Sequence, residues 1–392
     1  MRMLRPFITL FFIGLIGCAP SPQSHNVDAQ TDVAFNQAGE ITRASLSSQI
    51  ESVSLLLPVS GPQAAAGKAV RDGFLAAAYE AKARGEFIPS LKVIDTQAEN
   101  NVVANYREAV ESGARYVVGP LTKPGVEQLI AQASFSVPTL VLNETPQSLP
   151  ADVIQFGLSP ENDAHEVAYK ALERGHTKAL VLAPKSAWGH RMQKAFYEAF
   201  QAGGGHIVES ASYDSPKTLA STVRHLLKVS DKEEEIIDGK KAKIKPIPRT
   251  DADMIFLIGN SAQARQIKPI LNFYYAQMDV FAPPSAVSAV NNPMADRDLN
   301  GVYVVDSPWQ LNHAYEWQTL KNRLSTEADF SDHARLYGMG VDAFLLLRAL
   351  PSLQNEHAQF NGVSGKLTVK NGRVQRNLQL GQYRNGAIEV LQ

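Results

Sequence analysis

Cysteine occurs once in this chain, and Cys18 stands where a thiol could be modified covalently. It ends Leu15–Cys18 (LIGC), directly after a short apolar run that begins behind Arg2 and Arg5. Basic residues, an apolar stretch of roughly a dozen residues and small residues before a cleavage site are typical of a secretory signal. The pattern therefore predicts export, with cleavage before Cys18.

A cysteine at the first mature position resembles the bacterial lipobox, which implies acylation of both the sulfur and the new amino group of Cys18. Several acyl chains hold a protein on a membrane, whereas one chain gives only weak and reversible binding. The apolar run is too short for the roughly 20 residues of a membrane-spanning helix. Ala19 stands where an aspartate favours inner-membrane retention, so we expect a lipid anchor at the periplasmic face of the outer membrane.

The other polar side chains show no catalytic or metal-binding pattern. The sequence lacks a Gly-x-Ser-x-Gly elbow, a His-Glu-x-x-His motif and a phosphate-binding Gly-x-x-x-x-Gly-Lys-Ser/Thr motif. Its nine histidines are scattered, and His165 beside Glu166 and His333 near Asp332 favour surface or helix-cap roles. Gly203–Gly205 follows a predicted helix, which favours a helix-ending turn over a phosphate cradle. We predict no catalytic residue, no metal and no cofactor.

The charge balance excludes several classes of partner. Once Arg2 and Arg5 leave with the signal, 36 basic and 39 acidic residues remain, a net charge of −3. No basic stripe dominates, so nucleic acid is not an expected partner. A single cysteine also precludes an intramolecular disulfide, so the fold depends on its apolar core.

Apolar runs alternate with amphipathic helical periods through most of the chain. Residues 19–49, rich in Ser, Gln, Asn, Asp and Ala, instead predict a flexible tether. The alternation predicts two α/β units with parallel sheets covered on both faces. The predicted strands are 52–57, 91–95, 116–118, 139–142, 178–182, 207–213, 254–258 and 302–305. The predicted helices are 67–84, 102–112, 123–133, 160–174, 191–202, 219–228 and 261–273.

Two other segments have distinct signatures. Asn371-Gly372 and Asn385-Gly386 each lie between strand-like runs, which predicts two C-terminal hairpins with type I′ turns. Residues 230–250 are dense in Lys and Glu and contain two prolines. They predict an exposed excursion, either a solvated loop or a segment that contacts a partner.

Several motifs, taken in order over about residues 52–383, resemble a known family. The opening Ser54–Gly61 (SLLLPVSG) and Gly67–Phe74 (GKAVRDGF) resemble type I periplasmic binding proteins in general. The more specific motifs are Val117–Leu121 (VVGPL), Val137–Asn143 (VPTLVLN), Phe156–Glu161 (FGLSPE), Ala183-Pro184 with Trp188-Gly189, Asp253–Leu257 (DMIFL), Gln263–Pro269 (QARQIKP), Asp298–Val302 (DLNGV), Ser307–Trp309 (SPW) and Arg335–Ala343 (RLYGMGVDA). This set is similar to the C-terminal domain of the penicillin-binding-protein activator lipoproteins, the LpoA family.

The resemblance implies a fold and a function. The fold is α/β, a two-lobed type I periplasmic-binding-protein-like fold. Beyond the signal peptide at 1–17 and the lipidated tether at 18–49, which the residues predict, the fold implies a first lobe of 50–153 plus 284–350 and a second lobe of 154–283 plus 351–392. The implied function is non-catalytic: docking on a bifunctional penicillin-binding protein and stimulation of peptidoglycan crosslinking. Better-known members carry a helical-repeat domain where this sequence has the tether, which puts their mode of activation in doubt here.

An alternative function is that of a receptor for an amino acid or another small polar ligand. Ligands of open α/β sheets bind beyond the carboxyl ends of strands. That rule selects Ser60, Gly61, Gln63, Thr122, Lys123, Asn143, Glu144 and Trp188 as candidate cleft residues. Lys123 and Glu144 could hold the carboxylate and ammonium of an amino acid.

Each candidate also has a structural interpretation. Ser60-Gly61 fits a tight turn, Lys123 fits a helix start, and Trp188 could close on a ligand or plug the cleft. Trp309 and Trp317 are the first residues to probe as docking anchors, because aromatic side chains often carry interface energy. Core burial is the competing interpretation for both tryptophans.

Overall fold

The computed structural model describes residues 40–41, 50–98, 101–230, 234–237, 240–243, 245–288, 292–311, 315–353 and 359–391. The predicted signal peptide, Cys18 and most of the predicted tether lie outside these residues. Within the tether, Glu40–Ile41 forms a two-residue strand that pairs in parallel with Gln359 and Phe360. This short segment is an exception to the prediction of a flexible tether over 18–49, since it joins a sheet.

The helices of the described chain are numbered in chain order. They are α1 Ala64–Ala83, α2 Val102–Glu111, α3 Lys123–Gln132, α4 Pro160–Glu173, α5 Ala187–Ala202, α6 Pro216–Leu226, α7 Ser261–Phe273, α8 Pro293–Asp296, α9 Gln318–Leu324 and α10 Phe330–Leu353. Helices α3, α4 and α5 begin where the side chains of Thr122, Ser159 and Ser186 accept backbone N–H groups. None of the described helices is long and apolar enough to cross a membrane.

The strands follow the same numbering. They are β1 Glu40–Ile41, β2 Ser52–Leu57, β3 Ser90–Asp95, β4 Tyr116–Val118, β5 Thr139–Val141, β6 Val153–Gln155, β7 Lys178–Pro184, β8 His206–Tyr213, β9 Glu234–Ile237, β10 Lys240–Lys243, β11 Met254–Leu257, β12 Asp279–Ala282, β13 Tyr303–Asp306, β14 Gln359–Asn361, β15 Lys366–Lys370, β16 Arg373–Asn377, β17 Gln379–Arg384 and β18 Ala387–Val390. Strands β4, β5 and β11 are buried at every residue, as expected where helices cover both faces of a sheet.

Two sheets define two lobes. The first-lobe sheet has the order β1-β14-β15-β16-β6-β5-β4-β2-β3, and the second-lobe sheet has the order β18-β17-β13-β12-β11-β7-β8. Strands β2 to β6 pair in parallel in one sheet, and β7, β8 and β11 to β13 do so in the other. The predicted α/β class with two mostly parallel sheets is therefore confirmed.

The chain crosses between the lobes three times, and the predicted lobe bounds need correction at each crossing. The predicted crossing at 153/154 falls inside β6, which pairs with β5, so the chain crosses after Gln155. The predicted return at 284 is too early because β13 pairs with β12, so the chain returns after Asp306. Strands β14 to β16 lie in the range 351–392 predicted for the second lobe, yet they extend the first sheet. The last crossing therefore occurs at Leu378.

Both predicted Asn-Gly hairpins are present. The φ angles are 51° and 71° at Asn371 and Gly372, and 52° and 78° at Asn385 and Gly386. Positive φ at both central residues is the requirement of a type I′ turn, so this prediction is confirmed. The first hairpin, β15–β16, joins the first-lobe sheet, and the second hairpin, β17–β18, joins the second-lobe sheet.

The excursion predicted over 230–250 contains a two-stranded antiparallel sheet of β9 and β10. Its return segment is anchored, because the side chain of Arg249 is only 5% exposed. The guanidinium of Arg249 donates to Asp251 at 2.6 and 2.8 Å, to Glu209, and to the Leu226 carbonyl at 3.2 Å. This contact anchors one end of the excursion, and the two interpretations of its function, a solvated loop or a segment that contacts a partner, stay predictions.

The backbones of helices α1 and α10 approach each other closely. A Cβ at Gly340 would lie 2.1 Å from the Val70 carbonyl oxygen, and a Cβ at Gly73 would lie 2.1 Å from the Tyr337 carbonyl oxygen. Backbones approach this closely only where no side chain intervenes. The two glycines thereby fix α10, which also carries Arg335, against α1.

Candidate functional site

Five of the predicted cleft residues of the first lobe, Ser60, Gly61, Gln63, Thr122 and Lys123, lie at the starts of helices. Ser60 and Gly61 form the turn into a 3-10 helix, Gly61–Gln63, with a φ of 71° at Gly61. Thr122 caps α3 by accepting the N–H of Gly125 at 3.2 Å, and the exposed Lys123 is the first residue of that helix. The sequence analysis gave these structural roles, a tight turn for Ser60-Gly61 and a helix start for Lys123, as alternatives to ligand binding.

A cavity of about 470 Å³ lies at the carboxyl edge of the second-lobe sheet. Of the predicted cleft residues, it contains only Trp188. Its lining is Pro184, Lys185, Ser186, Trp188, Tyr213, Asp214, Asn260, Gln263 and Ser285. Because all these residues belong to the second lobe, the cavity is a one-sided pocket of that lobe. No group of three or more His, Cys, Asp or Glu in the described part of the chain could hold a metal ion.

Asn143 bonds within the first lobe, and Glu144 connects that lobe to α4. Asn143 Nδ2 donates to the Leu121 carbonyl at 2.9 Å, and Glu144 Oε1 accepts from Asn162 Nδ2 at 2.6 Å. Burial raises the pKa of Glu144. Glu144 is thus engaged by α4, and the prediction that Lys123 and Glu144 hold the two charged ends of an amino acid stays a prediction.

Four charged side chains, which we call the hinge clamp, join the lobes at the crossings. The clamp consists of Asp163, Asp306, Arg335 and Arg376. Arg376 of β16 donates to Asp163 Oδ1 of α4 at 2.8 Å. Arg335 of α10 donates to both carboxylate oxygens of Asp306, at the end of β13, and to the Pro284 carbonyl at 2.6 Å. The first lobe supplies both cations and the second lobe both anions, so their attraction holds the lobes together.

Three of the four clamp side chains are largely removed from water, whereas the side chain of Arg335 is 32% exposed. Asp306 is 1% exposed and the side chain of Arg376 is 6% exposed. Burial raises the pKa of Asp163, while the Arg376 guanidinium opposes that rise. Charges in such surroundings interact more strongly than at a surface, and losing one partner leaves the other uncompensated.

Glu166 ties the third crossing to α4. Its Oε2 accepts the backbone N–H of Leu378 at 2.7 Å, and the residue is 8% exposed. Burial raises the pKa of Glu166 to about 7, and it raises the pKa of the fully buried Asp342 to about 6. Asp342 accepts the backbone N–H groups of Val363 and Ser364, both at 2.7 Å, which closes the loop before β15.

The raised pKa of Glu166 predicts a pH dependence of stability. The folded chain binds the proton of the Glu166 carboxyl group more tightly than the unfolded chain does. The protonated carboxyl group therefore contributes its full stabilisation at low pH, and this stabilisation is lost as pH rises through about 7. Between pH 5.5 and pH 7.5 the unfolding free energy of the natural chain should fall by about 2 kcal/mol more than that of Glu166→Gln. Urea unfolding at both pH values measures it, with Glu389→Gln, at a side chain that is 56% exposed on the same lobe, as the control. Equal pH dependence in the two variants would contradict the prediction.

The sequence did not reveal the hinge clamp, and the two tryptophans that it suggested as docking anchors are buried. Asp163 and Arg376 are separated by 213 residues, so no local spacing reveals their pairing. Trp309 and Trp317 are 1% and 9% exposed, which confirms their core interpretation and removes them as docking probes. His333 lies at a kink in α10, with Nδ1 3.3 Å from the Asp329 carbonyl oxygen.

Two α/β lobes, three crossings and a pocket at the carboxyl edge of a parallel sheet define a protein of the periplasmic-binding class. The fold of a Chromobacterium violaceum protein, described as a "putative branched-chain amino acid ABC transporter", agrees. It aligns with a TM-score of 0.64 at 24% identity, over 85% of this chain and 99% of that one. This likeness shows the fold alone.

Residues 40–386 match the family described as "LppC putative lipoprotein", and the chain belongs to that family. A Photobacterium profundum protein named penicillin-binding protein activator LpoA is 30% identical over 336 residues, which are 82% of this chain and 54% of the relative. The Aliivibrio fischeri protein of the same name is 27% identical over 81% of this chain and 54% of its own length. The family resemblance is thus confirmed, and the chain spans about half the length of these curated relatives.

A solved domain corresponds to the described part of the chain. The LpoA C-domain of Haemophilus influenzae, described as a regulator of PBP1A, is 25% identical with a TM-score of 0.70. The alignment covers 87% of this chain and 100% of that domain. The described lobes therefore correspond to one complete domain of a larger relative.

Proposed function

We propose that this chain is a lipid-anchored, non-catalytic activator that binds a bifunctional penicillin-binding protein and stimulates its transpeptidation. The observation that carries the proposal is the alignment over the whole of a domain described as a regulator of PBP1A. The names of the curated relatives, penicillin-binding protein activators, support the same function. Because this chain matches only part of those relatives, the two lobes themselves are the proposed activating unit.

The hinge clamp supports docking over ligand capture. A receptor of this class closes by rotating its lobes about the crossings. Here Arg376–Asp163 and Arg335–Asp306 bind the lobes directly across those crossings. Buried ion pairs hold one geometry because separating them exposes uncompensated charge. A fixed arrangement of lobes suits a surface that a partner protein recognises.

The proposal includes acylation of Cys18 and a position at the periplasmic face of the outer membrane, as the residues around Cys18 and Ala19 predict. The chain between Cys18 and Glu40 would span roughly 70 Å when extended. Strand β1 then attaches that chain to the first-lobe sheet. Such a tether would let the lobes meet a synthase of the opposite membrane.

The direct test measures crosslinking by the organism's bifunctional penicillin-binding protein, with and without the soluble chain that begins at Ala19. We expect the soluble chain to bind the synthase and to increase the crosslinked fraction of its product severalfold. Synthase inactivated by penicillin is the control, because stimulation of an existing activity must vanish when the transpeptidase is blocked.

The outcomes separate the two candidate functions. Binding with increased crosslinking would establish activation by these lobes without a helical-repeat domain. Binding without stimulation would reduce the function to docking. Absence of binding to every bifunctional synthase of the organism would contradict the proposal and favour the small-molecule receptor, with the Trp188 pocket as the place to search for its ligand.

A further inference from the structure

The Trp188 pocket is built by the second lobe alone, which distinguishes it from a cleft between two lobes. It lies where strands β7, β8 and β11 end, and its volume of about 470 Å³ is within the range of small-molecule sites. The hinge clamp joins the lobes directly across the crossings. A ligand site that needs no closure of the lobes is therefore the kind that suits this chain.

Aromatic rings form the apolar part of the pocket. Trp188 is half-buried in the first turn of α5, and Tyr213 is the last residue of β8. The hydroxyl of Tyr213 donates to the Ile258 carbonyl at 2.8 Å, which satisfies the polar end of this ring within the protein. Two aromatic side chains at one pocket favour a ligand that contains a flat ring.

Hydrogen-bond donors that the protein leaves unused line the same pocket. Asn260 and Gln263 form a capping box in which each side-chain oxygen accepts a backbone N–H at 2.9 Å. Both oxygens are thereby occupied, whereas the two amide NH2 groups make no hydrogen bond in the described part of the chain. The amino group of Lys185 and the indole N–H of Trp188 also have no hydrogen-bond partner among the described residues.

Acceptors are scarcer than donors in this lining. Asp214 is the one carboxylate among the lining residues, and its Oδ1 already accepts the hydroxyl of Thr218 at 2.8 Å. Helices α5, α6 and α7 all begin at this edge of the sheet, so the positive ends of their dipoles lie there. Unused donors, one cation and three helix starts together favour an anionic ligand.

We infer that the Trp188 pocket binds a small aromatic carboxylate. The ring of the ligand lies against Trp188 and Tyr213, and its carboxylate accepts from Lys185, Asn260 and Gln263. Hydrogen bonds to an ionised carboxylate are about twice as strong as neutral ones, so the carboxylate fixes the orientation of the ligand. The inference goes beyond the proposed function, because it holds whether or not the chain docks on a synthase.

The first lobe contributes no contact to this ligand. Receptors of the same class close their lobes around what they bind. Lys123 is exposed at the start of α3, which follows a strand of the first-lobe sheet, and Lys185 is exposed just before α5, which follows a strand of the second. Lys123 is therefore a matched control for Lys185, and it distinguishes a one-sided pocket from an interlobe cleft.

The test measures binding of benzoate to the soluble chain that begins at Ala19 by isothermal titration calorimetry. Benzamide, which has the same shape without the charge, should bind at least tenfold more weakly than benzoate. Lys185→Met should weaken the affinity for benzoate at least fivefold, because it removes the cation that the carboxylate meets. Lys123→Met should leave the affinity unchanged, and thermal unfolding of both variants should match that of the natural chain.

Tryptophan emission locates the bound ligand independently. The chain has three tryptophans, and Trp309 and Trp317 are buried in the core of the first lobe. Benzoate in the pocket should therefore change the emission of Trp188 alone. This change should disappear in Trp188→Phe, which keeps an aromatic ring at the position.

Several outcomes would overturn the inference. Equal affinity for benzoate and benzamide would show that the carboxylate is not recognised. Stronger binding of phenylalanine than of benzoate would identify an amino acid as the ligand, with Asp214 as the partner of its ammonium group. Loss of benzoate binding in Lys123→Met would place the ligand between the lobes. Absence of benzoate binding to the natural chain would exclude the proposed ligand class, whatever the result with the synthase.

Discussion

Replacement of Arg376 by methionine is expected to lower the unfolding free energy of the chain by about 3–5 kcal/mol. The substitution keeps an apolar side chain of similar length in place but removes the guanidinium that Asp163 accepts from. A buried carboxylate would then remain without its cation, and the clamp would lose one of its two ion pairs. Urea unfolding followed by circular dichroism gives the free energy.

Two further variants identify the cause of that loss. Arg384→Met removes an arginine whose side chain is 53% exposed and whose partner, Glu389, lies 3.1 Å away at the surface. It should cost less than about 1 kcal/mol. Arg376→Met combined with Asp163→Leu removes both charges and should recover most of the stability, because a buried pair can be replaced by apolar groups with little loss. A double variant as unstable as Arg376→Met would contradict the clamp.

The sequence predicts strands such as β4 and β11 because they are buried on both faces and are apolar without interruption, but it misses β12, the middle strand of the second-lobe sheet. Strand β4 has its predicted bounds, Tyr116–Val118. Strand β6 has the same length but escapes prediction because it ends in the polar Gln155, which breaks its apolar run. That side chain is buried because its Oε1 accepts the N–H of Thr145 at 3.0 Å, a tertiary contact that no local pattern shows.

Lobe membership and the candidate site depend on pairings between distant parts of the chain. The hairpin turn at Asn371-Gly372 is a local property of two residues and is predictable. The sheet that this hairpin joins depends on Arg373 pairing with Gln155, which is a property of the folded chain. The clamp has the same origin: an arginine and an aspartate look like surface residues until the fold buries them together.

Substitution of Gly340 by alanine is expected to cost about 3 kcal/mol, at the upper end of what overpacking a core costs. The new Cβ would lie 2.1 Å from the Val70 carbonyl oxygen and 2.8 Å from the Phe74 amide nitrogen. Both atoms belong to the backbone of α1, so they cannot yield without moving that helix. Alanine favours a helix over glycine by about 1 kcal/mol, which only partly offsets this displacement.

Gly338→Ala, two residues earlier in α10, tests whether steric contact is the cause. A Cβ there would meet only the indole side chain of Trp309, at 3.3 Å, which can yield by a few tenths of an ångström. The same helix-propensity gain then acts against a small displacement, so Gly338→Ala should change the unfolding free energy by less than about 1 kcal/mol. Similar losses in Gly338→Ala and Gly340→Ala would show that α10 is sensitive to alanine in general and that the close approach of α1 does not set the cost.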